Sequence, residues 1–177
     1  FSVDLLSLFF RDFLLPVILV YLLILPVIGK YINIESIYFG YKFSKQEIVV
    51  LWLSQITVVV IFVNLVLKNL WGRIRPGEVF EFGGNYDFIP WYQISNTCKT
   101  NCSFVSGDAS VGFSIIILYF ITKNIIYLYG CIVLGLTLGF VRILAGGHFL
   151  SDVLFAGIFV IFLNILLFEI YKKYYDK

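Results

Sequence analysis

The sequence predicts an all-α, polytopic transmembrane helix bundle, and three observations predict it. Of the 177 residues, 60% are hydrophobic and only 14% charged, a balance too apolar for an ordinary soluble domain. The apolar residues gather into five segments, each at or near the roughly 20 residues that cross about 30 Å of hydrocarbon. Aromatic residues make up 19% of the chain, mostly Phe and Tyr, which suits rings seated at lipid–water interfaces. The formal charge of +2 gives no reason to expect a nucleic-acid partner.

The five segments run Phe13–Gly29, Glu47–Leu67, Asp108–Thr122, Ile125–Arg142 and Phe149–Tyr171. Leu5–Phe10, ahead of Arg11-Asp12, reads as an interfacial lead-in to the first. The third segment is short, and its polar beginning is expected near the interface. Gly135 and Gly139 form a G-x3-G pair in the fourth, read as a helix-packing face. Residues 1–177 are taken as one transmembrane domain. The chain contains no methionine, so a segment upstream of Phe1 is expected, and a further spanning helix is one reading of it.

The one long polar stretch is Lys68–Ser106, and polar connections of this length are usually functional or disordered. Its Trp, Tyr and Phe content argues against disorder. Cys98 and Cys102 flank Lys-Thr-Asn within it, a spacing open to three readings: a small disulfide loop, half a metal site, or two free thiols. No neighbouring Cys/His pair completes a zinc site, and an outward-facing loop favours the disulfide. Cys131 lies in an apolar run and reads as a small hydrophobe.

If the five helices alternate, Lys30, Lys42, Lys45, Lys123, Lys172, Lys173 and Lys177 fall on one side. Arg11, Lys68, Arg73, Arg75, Lys99 and Arg142 fall with the long loop. Chemistry accounts for Lys68, Arg75 and Arg142, as follows. Of the remainder, the lysine-rich side goes to the cytoplasm and the loop faces outward.

Ionisable groups near membrane helices are costly and mark function. Here they form three clusters, each where an apolar segment meets polar sequence. The first is Lys68 followed by six residues and Arg75-Pro76; the second is Val105-Ser106-Gly107-Asp108; the third is Arg142, five residues, His148, three residues and Asp152. Alternation of the helices brings all three to one membrane face. Lys68, Arg75 and Arg142 supply the charge and donors that a phosphoryl group needs, the arginines in bidentate fashion. Ser106 and Gly107 precede a helix, whose N-terminal N–H groups suit phosphate oxygens. His148 and Asp152 stand at i and i+4, the spacing of a nucleophile and the carboxylate that holds its tautomer. Gly146-Gly147 permits the sharp turn before the histidine. Asp108 has three readings, a helix N-cap, a proton donor to a leaving group, or an acceptor for a substrate hydroxyl. Arg73 reads only as an interfacial anchor.

The pattern K-x6-R-P, S-G, R-x5-H-x3-D resembles the signature of the type 2 phosphatidic acid phosphatase superfamily, across about Glu47–Tyr171. The resemblance implies a six-helix fold, of which the five helices here would lack the first. It implies that His148 attacks phosphorus to form a phosphohistidine, that Asp152 orients it, and that Lys68, Arg75, Ser106, Gly107 and Arg142 bind the phosphate. It implies no metal and no other cofactor, with a phosphorylated lipid in the bilayer as partner. One departure stands out: where the family usually reads Pro-Ser-Gly-His, this chain reads Val105-Ser106-Gly107-Asp108, so the acid role passes to Asp108 or is lost. The stretches Trp71–Pro76, Cys98–Ser110 and Gly146–Asp152 are more specifically similar to bacterial lipid A 4'-phosphatases, which share the Ser-Gly-Asp variant. That similarity implies removal of a lipid phosphomonoester at the periplasmic face of the inner membrane. Undecaprenyl pyrophosphate, phosphatidylglycerophosphate and phosphatidate are the alternative substrates, and a non-catalytic protein binding anionic lipid is the alternative class.

Overall fold

In a computed structural model, which describes residues 7–29, 31 and 38–175, the chain is an all-α bundle of five helices. Lys30, Lys177 and the Leu5–Leu6 part of the expected lead-in lie outside the described residues. Phe9 and Phe10 belong to the first helix itself, α1 (Phe9–Ile28). Its opening turns are wide, and a break at Ile24 precedes Pro26, where the proline ring interrupts the ladder.

Helix α2 covers residues 45–71. Ser44 and Glu47 start it by exchanging backbone and side-chain hydrogen bonds, Ser44 N–H donating to Glu47 Oε2 at 2.7 Å and Glu47 N–H to Ser44 Oγ at 3.3 Å, the reciprocal cap expected of this pair. From Ser54 to Leu67 the turns are of the wide, i→i+5 kind. The buried positions Ser54–Gln55, Val58–Val59, Val63 and Leu67–Lys68 accordingly recur in groups four to five residues apart. Gly72, at φ +59°, stops the helix; a Cβ there would meet Ser95 O at 1.8 Å, so only glycine fits.

Helix α3 (Gly107–Thr122) stands in the middle, α4 covers Ile125–Leu144 and α5 Leu150–Tyr175. Among the described residues, four helices are long and apolar enough to cross a membrane, and α3 is shorter. Its 16 residues rise about 24 Å, less than the roughly 30 Å of hydrocarbon, in keeping with the short third segment read from the sequence. Burial compensates: Ala109 to Leu118 is buried throughout, and α3 is sheathed by its neighbours rather than by lipid.

The glycine pair of α4 is a packing face, but for two partners. A Cβ on Gly135 would meet the Phe113 ring of α3 at 2.4 Å, and one on Gly139 would meet Val153 of α5 at 2.2 Å. Ser54 Oγ donates to Asn164 Oδ1 (2.5 Å) and Ser114 Oγ to Gln55 Oε1 (3.1 Å), all four residues being buried; such bonds hold helices together where water is absent. At the lysine-rich end, Lys123 and Lys172 both lie against the Phe168 ring. A lipid-facing apolar groove of about 510 Å³ between α2 and α5 reaches from Phe62 to Tyr175 at that end, away from the three charged clusters.

The loop from 72 to 106 sits on the opposite end. Its backbone is clipped to the end of α2 by Ser95 N–H to Trp71 O (2.9 Å), Cys98 N–H to Gly72 O (3.1 Å) and Ser103 N–H to Arg73 O (2.8 Å). Trp91 tilts against Phe155 of α5, and Trp71 against Phe104. Cys98 and Cys102 are joined by a disulfide, while Cys131 is a free buried thiol.

Candidate active site

The three charged clusters meet at one end of the bundle. Backbone bonds join them: Gly77 N–H donates to Gly146 O (3.0 Å), and Ser106 N–H to Asp152 O (3.1 Å). Arg142 Nε lies 3.1 Å from Asp108 Oδ2, pairing the third cluster with the second. Two glycines make the approach possible. A Cβ on Gly107 would lie 2.7 Å from Asn64 Oδ1 and 3.4 Å from Lys68 Nζ, and one on Gly147 would lie 2.7 Å from Arg142 Nη2.

His148 is 2% exposed. Its Nδ1 lies 2.7 Å from the Ser103 carbonyl oxygen. A carbonyl only accepts, so Nδ1 carries the hydrogen and the neutral ring keeps its lone pair on Nε2. Burial pushes the His148 pKa below its ordinary value, the Asp152 carboxylate opposes that shift, and Lys68 and Arg75 add to it. The neutral, Nε2-nucleophilic form is therefore favoured.

Asp152 does not hold that tautomer directly, as the i, i+4 spacing suggested. Its Oδ2 is 3.8 Å from Nδ1, beyond hydrogen-bond range. Instead Oδ2 accepts from Ser103 Oγ (2.5 Å) and Phe149 N–H (2.9 Å), and Oδ1 accepts from Arg73 Nη1 (2.5 Å). Ser103 is thus the hub, its carbonyl on the histidine and its hydroxyl on the carboxylate. The Phe149 bond also caps the first turn of α5, where a carboxylate suits the helix dipole.

Arg73, expected at the interface, is 1% exposed. Its Nε donates to Ile89 O (2.8 Å) and its Nη1 to Ser151 Oγ (2.8 Å) as well as to Asp152, while Phe149 stacks at 4.1 Å. Sequence reasoning missed both Arg73 and Ser103. The signal available was charge balance: a carboxylate buried beside a histidine needs a cation, and Lys68, Arg75 and Arg142 were already assigned elsewhere.

The remaining cations form the open part of the site. Lys68 is 8% exposed and feels the charges of Arg75, Asp108, Arg142 and Asp152. Among the described residues no hydrogen bond or ion pair engages its ammonium. Arg75 is held by Nε and Nη2 donating to Asn101 O, at 3.1 and 2.8 Å, inside the ring closed by the disulfide. Ser106, not Asp108, is the N-cap of α3, its Oγ accepting from Ala109 N–H, and Asp108 takes the ion pair with Arg142 instead. Because the Ser106 N–H is held by Asp152 O, the helix offers an anion the N–H of Gly107 rather than both expected groups. Three cations, a helix N-terminus and a neutral imidazole suit a phosphoryl group. A groove of about 340 Å³, lined by Leu136, Phe140, Ile143, Leu150 and Val153 among others, opens between α4 and α5. Its lining holds none of the charged residues of the site.

The profile of the PAP2 superfamily matches residues 49–176. The chain is similar to the lipid A 4'-phosphatase of Francisella tularensis subsp. novicida (strain U112), at 46% identity over 102 residues, 55% of this chain and 46% of that protein. It is similar to the lipid A 4'-phosphatases of Rhizobium etli (strain ATCC 51251 / DSM 11541 / JCM 21823 / NBRC 15573 / CFN 42) and Rhizobium leguminosarum, each at 38% identity over 97 residues, 53% of this chain. Those matches cover 38% and 42% of the two proteins, so the chain aligns with less than half the length of each relative. No solved structure matches.

Proposed function

The chain belongs to the PAP2 superfamily, and on that premise we propose that it is a bacterial membrane lipid phosphatase that removes a phosphomonoester through a phosphohistidine on His148. The observation that carries this reading is the His148 Nδ1–Ser103 carbonyl bond beside three cations. It leaves Nε2 as the lone pair in a pocket whose charge suits phosphate.

In the first step Nε2 attacks phosphorus in line, the N–P bond forming as the P–O ester bond breaks. Lys68, Arg75, Arg142 and the Gly107 N–H stabilise the charge on the equatorial oxygens. The leaving oxygen takes a proton. Its proposed donor is the Asp108 carboxyl, which must first take a proton from solvent as an incoming phosphate draws Arg142 away from it. As the ring becomes cationic, the Arg73–Asp152–Ser103 network holds its Nδ1 side, the orienting role of a buried carboxylate in nucleophile systems. Water then cleaves the N–P bond, releasing phosphate and restoring neutral His148.

The substrate we propose is the 4'-phosphate of lipid A, the molecule named for the similar proteins. The apolar groove between α4 and α5, lined by Ile143 and Val153 among others, is the proposed seat of an acyl chain of that lipid. The face we propose is the periplasmic one, where the Cys98–Cys102 disulfide finds an oxidising compartment.

The test is phosphate release by the purified protein from a panel of lipid A, undecaprenyl pyrophosphate, phosphatidylglycerophosphate and phosphatidate. Lipid A is expected to turn over fastest, and a His148→Ala variant to release none. Binding of all four with no turnover would favour a headgroup-binding protein instead.

A further inference from the structure

The long loop holds a second cavity that the phosphate chemistry does not use. It measures about 350 Å³ and is lined by Asn85, Tyr86, Asp87, Phe88, Gln93 and Thr97, with Ile89 and Ser95 behind. That size lies at the small end of ligand pockets, about 300–1,000 Å³, enough for one ring rather than an extended chain.

Its walls are fixed by backbone bonds, which leaves the side chains for a ligand. On one side, Asn85 and Tyr86 N–H donate to Glu78 O, and Phe80 N–H donates to Tyr86 O. Gly84 makes this fit possible, since a Cβ there would lie 2.0 Å from the Glu78 carbonyl carbon. On the other side, Ser95 N–H is bonded to Trp71 O, and the Ser95 and Thr97 hydroxyls to each other at 2.7 Å. Among the described residues, the side-chain amides of Asn85 and Gln93 and the Asp87 carboxylate form no hydrogen bond within the protein. A preorganised pocket with unengaged polar groups is built to bind.

The lining also states what binds. It holds no cation, and its one charge is the Asp87 carboxylate, so a second phosphate is excluded by repulsion. Two amides and a carboxylate offer donors and acceptors suited to hydroxyl, amide or amino substituents. Tyr86 and Phe88 are 45% and 47% exposed as residues, and though Arg73 and Phe149 lie against the Phe88 ring, the two aromatics leave apolar surface for the C–H face of a saturated ring. A saturated ring with polar groups on its rim and C–H bonds on its face is a sugar.

Phe88 ties the pocket to the chemistry. Its ring packs edge-on against Phe149 at 5.3 Å, and Phe149 is the residue after His148. From these observations we propose that the cavity walled by Asn85, Tyr86, Asp87, Phe88 and Gln93 binds a hexose or hexosamine ring of a glycolipid headgroup. The inference rests on the reading that the substrate's phosphate is carried on a lipid headgroup, and it names that headgroup's chemistry.

The test measures binding without turnover, so that it stands apart from the phosphatase reading. The protein in nanodiscs is titrated with a phosphate-free lipid bearing a glucosamine headgroup and, separately, with diacylglycerol, following Trp fluorescence. The wild-type protein is expected to bind the amino-sugar lipid at least roughly tenfold more tightly, as two added hydrogen bonds allow. An Asn85→Ala/Gln93→Ala double variant is expected to lose that preference, while His148→Ala keeps it. Because the readout is a ratio of affinities within one sample, unfolded protein does not alter it. Equal affinity for both lipids in the wild type, or a preference that survives in the double variant, would overturn the proposal.

Discussion

Replacing Arg73 by methionine removes a guanidinium from an unspecified x position of the K-x6-R-P signature, yet the effect on turnover is expected to be large. The side chain donates to Ile89 O, Ser151 Oγ and Asp152 Oδ1 and is covered by Phe149. Methionine keeps most of the volume and none of the charge. Asp152, with no exposed surface, is left with Ser103 Oγ and the Phe149 N–H as its remaining donors. Breaking one side of a buried ion pair costs about 3–5 kcal/mol. If about 3 kcal/mol of this reaches the transition state, through a carboxylate that takes up a proton or moves from His148, kcat falls roughly two orders of magnitude. KM should change little, because the Arg73 Nε and Nη1 donors are taken by Ile89 O, Ser151 Oγ and Asp152 Oδ1 rather than offered to a substrate. Arg73→Lys restores charge but not the planar fork that reaches three acceptors, so it should recover only part of the loss. The assay is phosphate release from lipid micelles with kcat and KM resolved, alongside thermal unfolding. Arg73→Met with kcat within about threefold of wild type, or with its whole effect in KM, would refute the reasoning.

Burial holds the His148 pKa below its ordinary value, so the acid limb of kcat/KM should lie below about pH 6.5. Since the unfolded imidazole takes its proton at higher pH than the folded one, this residue's stabilising contribution is present above about pH 6.5. It is lost as pH falls through the depressed folded value, and melting curves of His148→Ala against pH should lack that acid-side loss. Opening the five-residue ring with Cys98→Ser/Cys102→Ser should cost about 2 kcal/mol by loop closure and raise KM, because the Asn101 carbonyl that seats Arg75 lies within it. Gly135→Ala places a methyl 2.4 Å from the Phe113 ring and should destabilise the bundle by about 1–3 kcal/mol, seen as a lower unfolding temperature with unchanged KM. Asp108→Asn should lower kcat and alter its pH dependence if the carboxyl supplies the leaving-group proton, and pH-independent wild-type rates would leave it as the Arg142 partner alone.

Much of this was legible in the chain because membranes impose simple rules. The helices follow from apolar length, and Lys68, Arg75, Arg142 and His148 stand out because charge at a helix end is expensive. What could not be read was how the loop closes. Arg73 and Arg75 look alike in sequence, two residues apart; the αL turn at Gly72 and the clip from Ser103 N–H to Arg73 O send one inward and leave the other half-exposed. Ser103 is an ordinary serine in sequence, and the half of its role that fixes His148 rests on its carbonyl, a group every residue carries. Asp108 stays open between cap and acid in the sequence because its neighbours fit a cap, whereas Ser106, two residues earlier, is the cap in the fold. The short length of the third segment is legible, but hydropathy does not report that protein rather than lipid sheathes it.

The central claim is that His148 carries the phosphoryl group during turnover. It is tested most directly by mixing the protein with a lipid labelled on its phosphate, quenching in alkali within one turnover, and sequencing the labelled peptide by mass spectrometry. The account predicts an acid-labile, alkali-stable phosphate on the peptide containing His148, absent from His148→Ala and accumulating where hydrolysis is slowed. Steady phosphate release with no such label at any time point, or with the label on another residue, would contradict it.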